Sequence, residues 1–342
     1  MEIEIIPECL HFKQPAGTSR GIYTVRNIYL IKACHNGKTG WGECAPLPDL
    51  SQDAMSQDEY LTLLQRFACE VEMTLQIPYE ELRPYPSMLM GLETALRHLK
   101  SNSWHHYPQT RFSMGLEGIP INGLVWMGSI GEMKARMEQK LSEGYACIKL
   151  KIGALDFDDE LQLVKQIRAH YSADDVEIRV DANGGFQPGD ECMSRLDQLA
   201  RLQVHSIEQP IKQHQLDELA KICRDAPLPI ALDEELIGVN SVAEKRDLLQ
   251  YVNPHYIVLK PSLHGGFAGS EEWISEAQKL NIKWWVTSAL ESNIGLNAIA
   301  QWTAHISNDQ YDMAQGLGTG LLFVKNYDEV PLKLEHGKLF TY

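Results

Sequence analysis

The chain has 342 residues, 44% hydrophobic and 23% charged, with a net charge of -15. That is the balance of a soluble globular protein with room for about two domains, or one barrel with an appendage. The acidity argues against nucleic acid or anionic membrane as a partner. The acidic start MEIEIIPECL reads as no secretory leader, and no apolar run approaches the ~18 residues of a membrane span.

The seven cysteines are scattered without a CxxC, which predicts reduced thiols in a cytoplasmic protein rather than a disulfide framework or a zinc site. In chain order, IEIIPECLHF and IYTVRNIYLIKACHNGKTGWGE read as strands, with a hairpin turn at Asn36-Gly37. DEYLTLLQRFACEVEMTL and SMLMGLETALRHLKS carry helical periodicity. Strands followed by helices predict an α+β capping domain over residues 1–113.

From about residue 119 the pattern alternates. Apolar strand-like runs INGLVWMG, CIKLKIG, EIRVDANG, HSIEQP, PIALDEE, HYIVLKP, WWVTSAL and AQGLGTG are separated by stretches such as IGEMKARMEQKLSEG and DDELQLVKQIRAHY. Alternating β and α units predict parallel strands and a modified TIM barrel of the (β/α)8 type, (β/α)7β, over residues 114–320. The tail 321–342 has strand composition and is expected to rejoin the capping domain.

A polar residue stands near the C-terminal end of each central barrel strand: Lys151, Asp181, Glu208, Asp233, Lys260 and Ser288, at intervals of 25 to 30 residues. One βα unit separates each from the next, and this is the end of a barrel where active sites are built. Parity places them on one side. Arg179, Asp181 and Asn183 oppose Ile178, Val180 and Ala182, and Lys149 and Lys151 oppose Ile148 and Leu150. The apolar side should meet the outer helices, leaving both lysines facing the barrel axis.

Three carboxylates converging without a cation would repel one another and be costly to bury. All-oxygen ligation favours Mg²⁺ or Mn²⁺. Lysines flanking such an ion should have their pKa values lowered, so that one can act as a base beside a chelated carboxylate substrate. Glu234 follows a carboxylate with opposite parity and is expected at the barrel mouth or behind the ligands. Ser288 is expected in the pocket, available to a substrate carboxylate. GTSRG is expected either to close over the pocket, with Arg20 meeting a second carboxylate, or to be an ordinary surface loop. His264 is expected at the surface or in the pocket wall, and Trp284 and Trp285 in core and helix packing.

With KLK, VDAN, EQP, LDE and LKP on strands two to six, the chain resembles the enolase superfamily in its muconate-lactonizing subgroup, over nearly its whole length. The resemblance implies Asp181, Glu208 and Asp233 as metal ligands and Lys151 and Lys260 as the acid/base pair. It implies Lys149 as a supporting lysine for the substrate carboxylate, and Asn183 behind the ligands. GWGECAPLPDLS and TSALESNIGL look like the subgroup's o-succinylbenzoate-forming dehydratases. These convert 2-succinyl-6-hydroxy-2,4-cyclohexadiene-1-carboxylate by a syn elimination through an enediolate. The subgroup shares its machinery with N-acylamino acid racemases and cycloisomerases. GLGTG, where dipeptide epimerases carry DxD, argues against a dipeptide substrate. A non-catalytic metal-binding barrel is the alternative from another class, and the intact lysine pair weighs against it.

Overall fold

The computed structural model describes residues 1–18 and 21–342. The N-terminal unit opens with three antiparallel strands, β1 (Glu2–Thr18), β2 (Gly21–His35) and β3 (Lys38–Cys44). Asn36 and Gly37 turn the β2–β3 hairpin at φ 49° and 75°, the left-handed pair a two-residue turn requires. Three helices cover the sheet: α1 (Gln57–Thr74), α2 (Tyr79–Leu82) and α3 (Pro86–Ser101). Ser56 and Glu59 close a reciprocal capping box at the start of α1, satisfying donors the first turn leaves free. Tyr60, Leu64, Phe67 and Val71 of α1 pack with Ile31, Leu89 and Leu92 into a core of this unit's own.

The barrel begins with β4 (Ile119–Pro120) and β5 (Gly123–Val125), followed by α4 (Ile130–Ser142), β6 (Cys147–Lys151) and α5 (Phe157–His170). Then come β7 (Glu177–Asp181), α6 (Asp190–Arg201), β8 (Ser206–Glu208), α7 (Leu216–Asp225), β9 (Ile230–Leu232) and α8 (Val242–Val252). The last units are β10 (Tyr256–Leu259), α9 (Gly266–Lys279), β11 (Lys283–Val286) and α10 (Asn293–Ile306). Strands β5 to β11 form one parallel sheet in sequence order. The curled sheet closes through single bridges, Ile121 to Gln315 and Thr287 to Gly316. The eighth strand expected at AQGLGTG is thus reduced to two residues, because its glycines bring no side chains to pack on a pleat. Ile148, Leu150 and Ile152 lie in the barrel's main apolar core with Val180 and Ile207, and the opposite parity faces the axis.

The tail divides. Phe323 bridges to Phe12 of the capping sheet, whereas β12 (Leu332–Glu335) and β13 (Lys338–Thr341) form a hairpin that pairs with Ile119–Pro120 at the start of the barrel. Two buried glutamates of the N-terminal unit reach across to barrel helices. Glu93 accepts from Phe267 N at 2.9 Å in the first turn of α9, and Glu43 accepts from Ser292 N at 2.9 Å and Gly295 N at 2.9 Å at the start of α10. A carboxylate suits such an end, whose first N–H groups have no helical partner. Among the described residues no helix is long and apolar enough to cross a membrane.

Candidate active site

Parallel register sets the site. Lys151 stands opposite Asp181 and Asp181 opposite Glu208, so three strand ends present their side chains at one level. Lys149 Nζ donates to Glu208 at 2.6 Å and lies 2.9 Å from Asp181. Lys151 Nζ donates to Asp181 at 3.1 Å and to Asn183 Oδ1 at 2.8 Å. Lys260, just after β10, donates to Asp233. Asn183 turns its amide to Glu234 at 2.9 Å. The lysines do not point to water: Lys149 is 9% exposed, and Asp181, Glu208 and Asp233 are at most 2% exposed.

Electrostatics follow from that burial. Burial alone would lower the Lys149 ammonium, but Asp181, Glu208 and Asp233 together raise it above its ordinary range. Lys260 is likewise raised, with Asp233 and Glu234 outweighing burial. The lysines expected to fall beside a divalent cation were Lys151 and Lys260; with carboxylates as its neighbours instead, Lys260 shifts the other way. Asp181 is held well below the carboxylate range, since Lys149 and Lys151 outweigh its burial. Glu208 is pushed well up by burial and by Asp181. Burial and then Asp233 also raise Glu234.

The donor set fits a hard cation. Glu208 Oε1, Asp233 Oδ1 and Glu234 Oε2 are buried acceptors with no hydrogen-bond partner, each costing about 1–3 kcal/mol until something satisfies it. Among the described residues no three such side chains are gathered at ion-binding spacing, because the ammonium of Lys149 stands between Asp181 and Glu208 and that of Lys260 stands on Asp233. Of the expected ligands, Glu208 and Asp233 each keep an oxygen wanting a positive partner, as does Glu234 beside them, while the Asp181 oxygens meet Lys149, Lys151 and Asn183 N.

A cavity of about 290 Å³ opens above these groups. Lys149, Lys151, Asp181, Asn183, Glu234 and Lys260 give it a charged floor, with Leu47, Leu50, Trp126, Trp285 and Leu290 among its apolar walls. Trp285 packs in the barrel interior with Ala231 and Val258, as expected, and also lines the cavity. Its ring lies 4.4 Å from the Arg179 guanidinium below, while Trp284 packs on the core as expected.

Ser288 lines the cavity, but its hydroxyl is committed. It donates to Glu291 at 2.5 Å and accepts from Leu290 N at 3.0 Å and Thr319 at 2.8 Å. A substrate carboxylate needs a donor, and here the proton goes to Glu291 instead. His264 lies neither at the surface nor in this cavity: it is buried, its Nδ1 accepts from Lys260 N at 3.0 Å, and burial pushes it down to about 3. Arg20 lies outside the described residues. The roles of Glu291 and Thr319, and the contact of Trp285 with the cavity, had no place in the sequence expectations. The alternation of WWVTSAL carried the signal for Trp285, which shares parity with Thr287.

A capped barrel with lysines on strands two and six across an acidic centre is the architecture of enolase-type enzymes. The family model described as "Enolase C-terminal domain-like" matches residues 132–339, and "MenC, N-terminal domain" matches residues 19–99. The o-succinylbenzoate synthase of Desulfotalea psychrophila is 42% identical over 95% of both chains. The crystal structure of MenC from that organism superimposes with a TM-score of 0.83 at 38% identity, covering 99% of each chain. The substrate-liganded L-Ala-D/L-Glu epimerase of Bacillus subtilis shares the fold, with a TM-score of 0.79 at 20% identity over 100% of this chain and 96% of its own. The chain belongs to the enolase superfamily and, within it, to the o-succinylbenzoate synthase family.

Proposed function

We propose that the chain dehydrates 2-succinyl-6-hydroxy-2,4-cyclohexadiene-1-carboxylate to o-succinylbenzoate in menaquinone biosynthesis. The observation that carries this reading is the 42% identity to the Desulfotalea o-succinylbenzoate synthase across 95% of both chains. Asp181, Glu208 and Asp233 would hold Mg²⁺ or Mn²⁺, which when bound supplies positive charge to the substrate carboxylate and makes the α-proton acidic.

Lys151, as the free amine, takes the α-proton. Its contacts with Asn183 and Asp181 orient Nζ. The resulting ammonium then gives that proton to the departing hydroxyl on the same face. One C–H and one C–O bond break, water leaves, and the ring becomes aromatic. Lys260 stays cationic opposite, set against the charge that develops on the carboxylate oxygens. Lys149 helps hold that carboxylate. The apolar walls at Leu50, Trp126 and Leu290 exclude water from the ring.

The test is ultraviolet-monitored loss of the diene with Mg²⁺, beside Lys151→Ala and an N-acylamino acid control. Fast turnover by the parent enzyme, lost in the variant, is expected. An unreactive diene with a racemised acylamino acid would discard the substrate and keep the lysines.

A further inference from the structure

Arg26 of β2 is a buried cation with no part in the chemistry above, 3% exposed at the seam between cap and barrel. Its fork is spent on main-chain carbonyls of two loops. Toward the cap, Nη2 donates to Ala45 and Nη1 to Pro46. Toward the barrel, Nε donates to Leu290 at 3.2 Å and Nη2 to Ala289 at 3.3 Å. These loops carry Leu47 and Leu50 on one side of the cavity and Ser288, Ala289 and Leu290 on the other. One guanidinium therefore ties together both walls of the pocket.

The barrel loop is also strained. Leu290 sits at φ +66°, a conformation that costs a side-chain-bearing residue about 1–2 kcal/mol and persists only where its surroundings over-determine it. Here Arg26 holds its carbonyl and Ser288 Oγ its N–H, at 3.0 Å. Two carboxylates grip the same loop. Glu291 takes Ser288 Oγ and Ala289 N, and Glu43 takes Ser292 N. With a further contact from Nη1 to Asn27 O at 3.3 Å, the planar fork serves five carbonyls at once, whereas an ammonium on a flexible stem cannot hold that geometry.

We propose that Arg26 is a positioning residue for the dehydration, joining the Ala45–Leu50 loop to the Ser288–Leu290 loop so that the pocket keeps the shape of its substrate. The proposal rests on the reaction proposed above. It assigns Arg26 to substrate affinity and selectivity, since it touches neither the lysines nor the cavity.

The experiment is Arg26→Lys in the full chain, with steady-state kinetics and amide hydrogen exchange. Expected is a KM raised on the order of tenfold with kcat within about threefold, the signature of lost binding rather than lost chemistry. Exchange should speed up in the 45–50 and 288–290 segments together. Unchanged KM, a fall in kcat alone, or exchange unaltered in either loop would each overturn the proposal. Leu290→Gly relieves the strain and removes the same wall, so it should raise KM alike. Combined with Arg26→Lys it should add little, because both act through one loop. If Arg26→Lys does not fold, Leu290→Gly decides: an unchanged KM overturns the proposal. Should the parent enzyme leave the diene untouched, that failure belongs to the reaction, and the exchange comparison still judges Arg26.

Discussion

Protonation of one buried carboxylate should be visible in the stability of the whole chain. Glu43 is 1% exposed and accepts from Ser292 N, Ser292 Oγ and Gly295 N at the start of α10. A helix N-terminus favours an anion by about 0.3–1 kcal/mol. Burial is the larger effect, and with repulsion from Glu291 it outweighs these donors, so the carboxyl is pushed from 4.5 up to about 7. Between those two values the folded chain binds a proton that the unfolded chain has released. Stability therefore falls as pH rises through that window, and the loss is complete above about 7. The interval from 4.5 to about 7, at 1.36 kcal/mol per unit, is worth about 3 kcal/mol.

Glu43→Gln keeps the volume and an acceptor oxygen but carries no charge. In paired urea titrations across the window, the parent should lose about 3 kcal/mol relative to the variant as pH rises. Taking the difference cancels the other titrating groups, which both chains share. A gap that stays constant with pH, or widens in the parent's favour, would refute burial as the dominant effect and show the helix end and Arg26 to be the stronger partners.

The ligand assignment predicts that chelation abolishes turnover and that Mg²⁺ restores it. Asp233→Asn should remove Mg²⁺ binding from calorimetry without unfolding the barrel; undiminished binding would take Asp233 out of the ligand set. In the cap, a Cβ on Gly42 would meet Gly91 O at 1.9 Å and Ala95 N at 2.7 Å. Gly42→Ala must therefore force β3 away from α3, lowering stability by about 1–3 kcal/mol or more. Gly131 of α4 has nothing within 4 Å of such a Cβ, so Gly131→Ala should stabilise by about 0.4–1 kcal/mol. Thermal melts of the pair check the contrast, and equal shifts would contradict the close strand–helix approach.

The charged floor of the cavity was legible because two regularities coincide. A strand has period two, so Lys149 and Lys151 had to share a side with each other and not with Leu150. A βα unit has nearly constant length, so Asp181, Glu208, Asp233 and Lys260 recur one per strand. Neither regularity reaches the seam between cap and barrel. Arg26 looks like any polar residue near the start of a strand, and its acceptors are backbone carbonyls, which have no letter in a sequence. Glu43 shares parity with Trp41, a weak hint of an inward face, but its partners lie some 250 positions away.

Ser288 shows the same limit from the other side. Its strand position was predictable, whereas the destination of its proton depends on Glu291, three residues further on in a turn whose strained φ at Leu290 no periodicity reports. The tail misled for a related reason. LKLE and KLFT have strand character, but strand character names no partner. Phe323 found the cap through an apolar contact, and the hairpin found the free edge that Ile119 and Pro120 leave at the barrel's incomplete seam. The chemistry of this fold is thus written locally, strand by strand, while the shape of its pocket is written in long-range contacts to main-chain atoms. That division is why substitutions at Lys151 and Arg26 should separate so cleanly, one in kcat and the other in KM.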